Sequence, residues 1–308
     1  MQFPGIAKPP VGIVFDSAMS RIDDVLALAM LHGFDGKDQA RIAAVSVSNS
    51  NLPAAQFCDA VNRFYASATT GPAAMFMHFM PIGLADGQPA TASPMLSTAS
   101  GGSSIANIND TADPATLIRN ALTAQYDHNT AVVLSGPAND LAKLLDMYGA
   151  KDLIVRKVRL LCVADNGTQS DTAAEKVFAE WPTPIVTAGR EIGEALVYPG
   201  DSIDKDFAYA SAHPVAEAYR AYRPMPYDAP SWAMAAMLYA VHSGDGYFKV
   251  TGSGNRRDLI LDPEQKDRII RTYVETASAK PVPRKPRHPV ADKKDEKKDD
   301  EKKKEPAP

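Results

Sequence analysis

Residues 13–33 read IVFDSAMSRIDDVLALAMLHG and carry three aspartates within a short span. Apolar residues run up to Phe15, and Asp16 follows at once. A short loop then leads to Asp23 and Asp24, which open a second apolar run, 25–31. Three carboxylates therefore converge where a buried strand hands over to a helix. Such a cluster can hold a hard cation, because Ca²⁺ takes about six to eight oxygen ligands, several of them carboxylate. The same residues can cap a helix, since an aspartate at a helix N-terminus accepts from orphan N–H groups and complements the dipole. The residue types leave both readings open.

Other polar residues are scattered. Asn51 stands in a loop, where it can meet a ligand or shape a turn. Glu191, in the run REIG, suits a ligand contact or a structural ion pair. Trp232 can stack on a base or pack in the core. The six histidines show no ligand spacing, and His213, directly before Pro214, reads as a helix cap. Cys58 and Cys162 lie far apart and outside any CxxC pattern, so both read as small buried apolar residues. There is no GxSxG, no P-loop and no GxGxxG, which removes the common serine-hydrolase, phosphate-loop and dinucleotide readings.

The elements that must position these residues follow from two alternating periodicities. Continuous apolar runs predict strands at 11–15, 42–47, 130–134, 155–163 and 184–187. Helical spacing predicts helices at 23–31, 54–65, 139–147, 172–181, 214–222 and 231–242. Alternation of this kind implies an α/β fold, with a mostly parallel central sheet and helices on both faces. Ligands in such folds sit at the carboxyl ends of the strands. The Ser-, Thr-, Ala- and Gly-rich stretch 90–113 reads as a surface loop or a lid.

The segments, taken in order, resemble the inosine-uridine preferring nucleoside hydrolases. Residues 13–33 are similar to that family's strand followed by D-x-D-x-G-x-D-D. Residues 45–65 (VSVSNSNLPAAQFCDAVNRFY) are similar to its second strand, Asn-bearing loop and helix, and 132–145 (VVLSGPANDLAKLL) to its GPLTNLA turn. Residues 181–203 and 214–247 resemble a divergent branch, and the likeness runs from Val11 to Phe248. The resemblance implies a pocket in which Ca²⁺ holds the attacking water and the ribose hydroxyls, with an aspartate as base. It places Asp16 at the first Asp of the signature, Asp23 against the ribose hydroxyls, and Asp24 on the metal. A main-chain carbonyl from Leu134–Ser135 would join them. Asn51, Glu191 and Trp232 fall at substrate-binding positions. Two expected metal ligands are missing: the proposed base falls on Ala18, and the C-terminal S-W-D reads Ser231-Trp232-Ala233.

The expectation is therefore a degraded metal site. Asp24 and Asp16 would be residual weak ligands, no Ca²⁺ would bind tightly, and no confident catalytic residue would remain. Ordinary ribonucleoside hydrolysis would be weak or absent, with nucleoside or ribosyl-ligand binding retained. Restoring both carboxylates, at 18 and 233, is expected to restore Ca²⁺ affinity. The alternatives are an active N-ribosyl hydrolase rebuilt from Asp16, Asp23 and Asp24, and a non-catalytic scaffold.

Composition sets outer limits. Hydrophobic residues at 45% and charged residues at 23% match an ordinary globular chain. The net charge is −4, but the stretch from Lys280 to Pro308 holds 11 Lys/Arg against 7 Asp/Glu, so the rest carries −8. A body that acidic is a poor nucleic-acid binder. Residues 279–308 lack the apolar side chains needed to offset ordering entropy and read as a disordered charged tail after an α/β domain spanning 1–278. The apolar run 25–31 is far below the about 20 residues a spanning helix needs, so no membrane partner is expected. Residues 1–10 carry no apolar signal core, the compartment stays open, and a homo-oligomer is compatible with the sequence.

Overall fold

The computed structural model describes residues 9–70, 80–87, 93–98, 100–167 and 169–283. The run VGIVFDS forms strand β1 (Val11–Ser17), and all seven residues are buried, as a central strand covered on both faces requires. It pairs in parallel with β2 (Ala40–Val47) on one side and β4 (Thr130–Leu134) on the other. The sheet continues through β3 (Ile82–Leu84), β5 (Val158–Ala164) and β6 (Ile185–Ala188), all parallel, to β10 (Arg256–Leu261) and β9 (Phe248–Thr251). The order is β3-β2-β1-β4-β5-β6-β10-β9, and only the β9–β10 pair is antiparallel. The predicted mostly parallel sheet is thus present. Its order reverses between β1 and β4, and that switch point opens a crevice at the carboxyl ends of the two strands.

Side chains alternate across the sheet with period two. Ile13, Phe15, Ala131, Val133, Leu160 and Cys162 enter one core. Val14, Val132, Leu134, Leu161 and Val163 enter the other. The first face is covered by α1 (Ile22–Gly36), α2 (Leu52–Ala66), α8 (Pro214–Tyr222), α9 (Trp232–His242) and α10 (Lys266–Ala277). The second is covered by α3 (Pro114–Thr123), α4 (Asn139–Asp146), α5 (Ala150–Lys157) and α6 (Thr172–Glu180). Helices α1 and α9 are apolar nearly all round and buried nearly all round, which suits helices enclosed by neighbours.

One predicted strand needs correction. Residues 155–157 of the expected 155–163 strand are the last turn of α5, and β5 starts only at Val158. Val155 is exposed on that helix, and Arg156 and Lys157 sit where the C-terminal dipole favours cations. The stretch 90–113 is partly outside the described residues. Its described part is anchored: Met95, Leu96 and Ile105 join the core, and Asp59 Oδ2 accepts from Ser103 Oγ (2.9 Å) and Ser104 N (2.7 Å). The expected tail lies outside the described residues from 284 on. Among the described residues no helix is long and apolar enough to cross a membrane.

Candidate functional site

Between β1 and α1 the chain turns sharply through Ala18 and Met19, and Met19 takes a left-handed φ of 48°. The turn packs tightly under the segment after β4. A Cβ on Gly136 would lie 2.0 Å from Ser48 Oγ and 2.5 Å from Ala18 N, so only glycine allows this approach.

Asp24 folds back onto the turn. Its Oδ2 accepts from the N–H groups of Ser20 and Arg21, both at 3.1 Å, and its Oδ1 accepts from Arg21 Nη2 at 3.0 Å. Asp23 faces the opposite way, to the start of α9. There its Oδ2 accepts from Ala233 N (2.7 Å) and its Oδ1 from Met234 N (3.3 Å), satisfying two orphan donors of that helix. Both carboxylates are thus helix caps, one of its own helix and one of another. Burial pushes Asp23 up to about 7, against the pull of Arg21 and with a smaller push from Asp24.

Arg21 was not singled out in the sequence, yet it is the hub of the site. Its side chain is only 17% exposed. Nη2 donates to Asp24 Oδ1 and to Ser135 O (3.3 Å), and lies 3.9 Å from Asp23 Oδ2. Burial opposes its charge, but Asp24 and Asp23 outweigh that and raise its pKa. Its Nε is buried without a hydrogen-bond partner among the described residues. The guanidinium carbon is 5.8 Å from the centroid of the Trp232 ring.

A cavity of roughly 230 Å³ opens beside this cation. Arg21, Asp23, Asn166 and Trp232 line it, with Tyr222 from the end of α8 and Arg223, Tyr227 and Asp228 from the segment that follows. Tyr227 is rigid: it stacks on Tyr219 at 4.3 Å, and each hydroxyl donates to the other residue's carbonyl. Gly200 N donates to Asp228 Oδ1 (2.9 Å). Trp232 Nε1 donates to Arg190 O (3.2 Å), and its ring lies flush on α7 (Arg190–Ala195). A Cβ on Gly193 would come within 2.2 Å of that ring.

The structure places the other expected residues elsewhere. Asn51 is buried at the N-terminus of α2, where its side chain accepts from Ala54 N at 3.4 Å. Glu191 is exposed in the first turn of α7. Neither lines the cavity. Asp16 is fully buried behind the site, with Oδ1 accepting from Ser46 Oγ at 2.9 Å. Its neighbour is Asp140, buried at the start of α4, and burial followed by Asp140 raises its pKa well above the carboxylate range. Burial likewise pushes Asp140 up to about 6. Burial and the charge of Asp140 both disfavour the ionised form of Asp16. His213 caps α8 as expected, accepting from Val215 N through Nδ1. Cys58 and Cys162 are buried and unpaired, also as expected. The lining residues Tyr222, Arg223, Tyr227 and Asp228 carried a weak sequence signal, an aromatic and charged run before Ser231.

The oxygen donors of this turn are already engaged by the protein itself. Ala18 and the buried Ala233 offer methyl groups. The oxygens of Asp24 already accept from two N–H groups and a guanidinium, those of Asp23 from two N–H groups, and Ser135 O from Arg21. Among the described residues no three His, Cys, Asp or Glu side chains are grouped to share a metal.

No protein-family model and no curated protein sequence matches this chain. Solved structures do. The inosine-uridine preferring nucleoside hydrolase from Bacillus anthracis superposes with a TM-score of 0.62 at 14% identity, over 87% of this chain and 99% of that one. The chain has the nucleoside hydrolase fold. A purine-preferring ribonucleoside hydrolase from Gardnerella vaginalis shares it, with a TM-score of 0.61 at 11% identity over 87% of this chain and 98% of that one. So does the type III effector XopQ, solved in complex with adenosine diphosphate ribose, with a TM-score of 0.65 at 13% identity over 88% and 94%. In this nucleoside hydrolase fold the crevice at the switch point is lined by an arginine, an asparagine and aromatic rings.

Proposed function

We propose that this protein binds a nucleoside or another ribosyl small molecule in the cavity beside Trp232, and that it hydrolyses ribonucleosides weakly or not at all. The observation that carries this reading is the fate of the carboxylates. Asp23 and Asp24 spend their oxygens on protein donors, and the positions that would supply a base and a further ligand are Ala18 and Ala233. A fold of this class needs an activated water to cleave an N-glycosidic bond, and among the described residues the carboxylates of the β1–α1 turn are engaged by protein donors rather than left to activate one. Binding is a lesser demand. Asn166 and the guanidinium of Arg21 can hydrogen-bond to sugar oxygens, and Trp232 lines the cavity with an aromatic ring beside which a base or a ribose can pack. The relatives support a ribosyl ligand: some are ribonucleoside hydrolases, and one was solved with adenosine diphosphate ribose.

The rebuilt-hydrolase alternative draws no support from the geometry, because Asp16 stands apart from the cavity that Asp23 lines. Calorimetric titration with inosine, ribose and adenosine diphosphate ribose, alongside a turnover assay on p-nitrophenyl riboside, tests the proposal. Saturable binding of one of the three without turnover is expected. Turnover abolished by a chelator, or no binding of any of the three, would sink it.

A further inference from the structure

Three oxygens converge on one point at the carboxyl ends of β1 and β4: Asp24 Oδ1, Ser135 O and Asp23 Oδ2. Arg21 Nη2 stands at that point, 3.0, 3.3 and 3.9 Å from them. Two carboxylates and a main-chain carbonyl are the kind of oxygens that surround a cation, though three are fewer than the about six to eight that Ca²⁺ takes. Here a guanidinium stands among them. The side chain does not reach in from a distance. Arg21 is the residue just before α1, and Asp24 fixes it from within the same turn through both its backbone N–H and its Nη2. The face of Trp232 lies alongside.

A mostly buried guanidinium is tolerated only where its charge is matched, and the two aspartates match it. Its Nε, buried and without a partner among the described residues, is a donor whose need the fold leaves open.

Building on the reading of a ribosyl pocket, we propose that Arg21 is the pocket's resident cation: it occupies the position a divalent metal would need and meets ligand oxygens with N–H donors instead. The proposal explains why a pocket lacking two acidic ligands keeps two others. Asp23 and Asp24 are retained as counter-ions and caps, not as metal ligands. It also explains a pocket that binds without cleaving. A guanidinium donates hydrogen bonds to hydroxyl or phosphate oxygens, but it does not lower the pKa of a bound water as a metal does.

The test needs no ribosyl ligand, so its failure and the failure of the binding proposal are separate results. The full chain, stripped with a chelator, is melted with and without millimolar Ca²⁺ and titrated with Tb³⁺, whose emission Trp232 would sensitise. The parent protein is expected to show no saturable emission and no Ca²⁺-dependent change in Tm. Arg21→Ala is expected to melt about 5–10 °C lower, because two buried carboxylates lose their partner. Ca²⁺ or low-millimolar guanidinium should return part of that loss, while sodium chloride of equal ionic strength should not. Arg21→Lys keeps the charge without the planar fork; it is expected to fold, to melt between the other two, and to ignore Ca²⁺, so the question is still decided if Arg21→Ala does not fold. A chelator-reversible rise in Tm with Ca²⁺ in the parent or in Arg21→Lys overturns the proposal. So does a parental Tm in Arg21→Ala, or a loss that neither cation relieves.

Discussion

Asp23 and Asp24 show how one residue type at one spacing serves two chemistries. In sequence the pair suits a cation site or a helix cap, and the resemblance puts Asp24 on the metal and Asp23 against ribose hydroxyls; in the fold Asp24 accepts from the turn before α1, Asp23 from the start of α9, and Arg21 supplies the positive charge between them. The consequence is testable by construction. Ala18→Asp with Ala233→Asp adds back two carboxylates, and by ligand count alone that should create Ca²⁺ affinity. With Arg21 in place the pair is not enough, since the cation's position is already filled. The double variant is expected to show no Ca²⁺ binding by calorimetry, and the triple variant with Arg21→Ala to bind at millimolar or tighter. Affinity in the double variant equal to that in the triple would show that Arg21 does not compete.

Helix α7 supports the start of α9, where the Trp232 ring lies on it with Arg21 alongside. The indole rests on Gly193, and its Nε1 donates to Arg190 O. The short antiparallel pair β7 (Val197–Tyr198) and β8 (Ala229–Pro230) brings the two helices together, and Ser231 N donates to Gly193 O at 2.9 Å. A methyl at position 193 has to displace the indole. Gly193→Ala is therefore expected to cost about 1–3 kcal/mol in a denaturant melt, the range for an overpacked site. It should also weaken the ribosyl ligand by moving one wall of the cavity. A variant with parental stability and parental affinity would mean that the ring shifts freely and does not shape the pocket.

The molecule as a whole is tied together by an aromatic cluster remote from the cavity. His213 lies among Phe64, Tyr65, Phe207 and Tyr209 and joins α2 to α8. Its Nε2 pairs with Tyr209 Oη at 2.9 Å. Burial pushes its pKa down to about 4, below the about 6.5 of an unfolded histidine. As the pH falls through this window the unfolded chain takes up a proton that the folded chain refuses, so stability is lost on acidification. The loss is about 3 kcal/mol from pH 6.5 to pH 4. Buried Asp16, Asp23 and Asp140, all shifted upward, act in the opposite direction. The difference between parent and His213→Asn isolates the histidine, because asparagine keeps a capping acceptor and does not titrate. The parent's stability is expected to fall relative to the variant between pH 6.5 and 4. Parallel curves would mean that His213 protonates freely in the folded state.

Order along the chain decided the architecture before any coordinates. Runs such as VGIVF and TAVVL are short and rich in β-branched residues, which favours strands buried on both faces over buried helices, and their alternation with helical spacing leaves few options besides a parallel sheet between two helix layers. Local chemistry was readable too: Pro214 after His213 marks a cap, and Cys58 and Cys162 outside any paired pattern mark core residues. The helix α10 was equally legible in principle, since Ile269, Tyr273 and Ala277 recur at four-residue spacing and are buried together. The edge of the sheet was not, because the antiparallel β9–β10 pair is mostly exposed and shows no apolar run. The site depended on contacts that no local pattern carries. Ser135 is 114 residues from Arg21, and Ala233 is 210 from Asp23. Whether an aspartate holds a metal, a helix end or a guanidinium depends on which of these distant groups arrives within hydrogen-bond distance. Only the packing of α1 against α9 and the turn after β4 decides that.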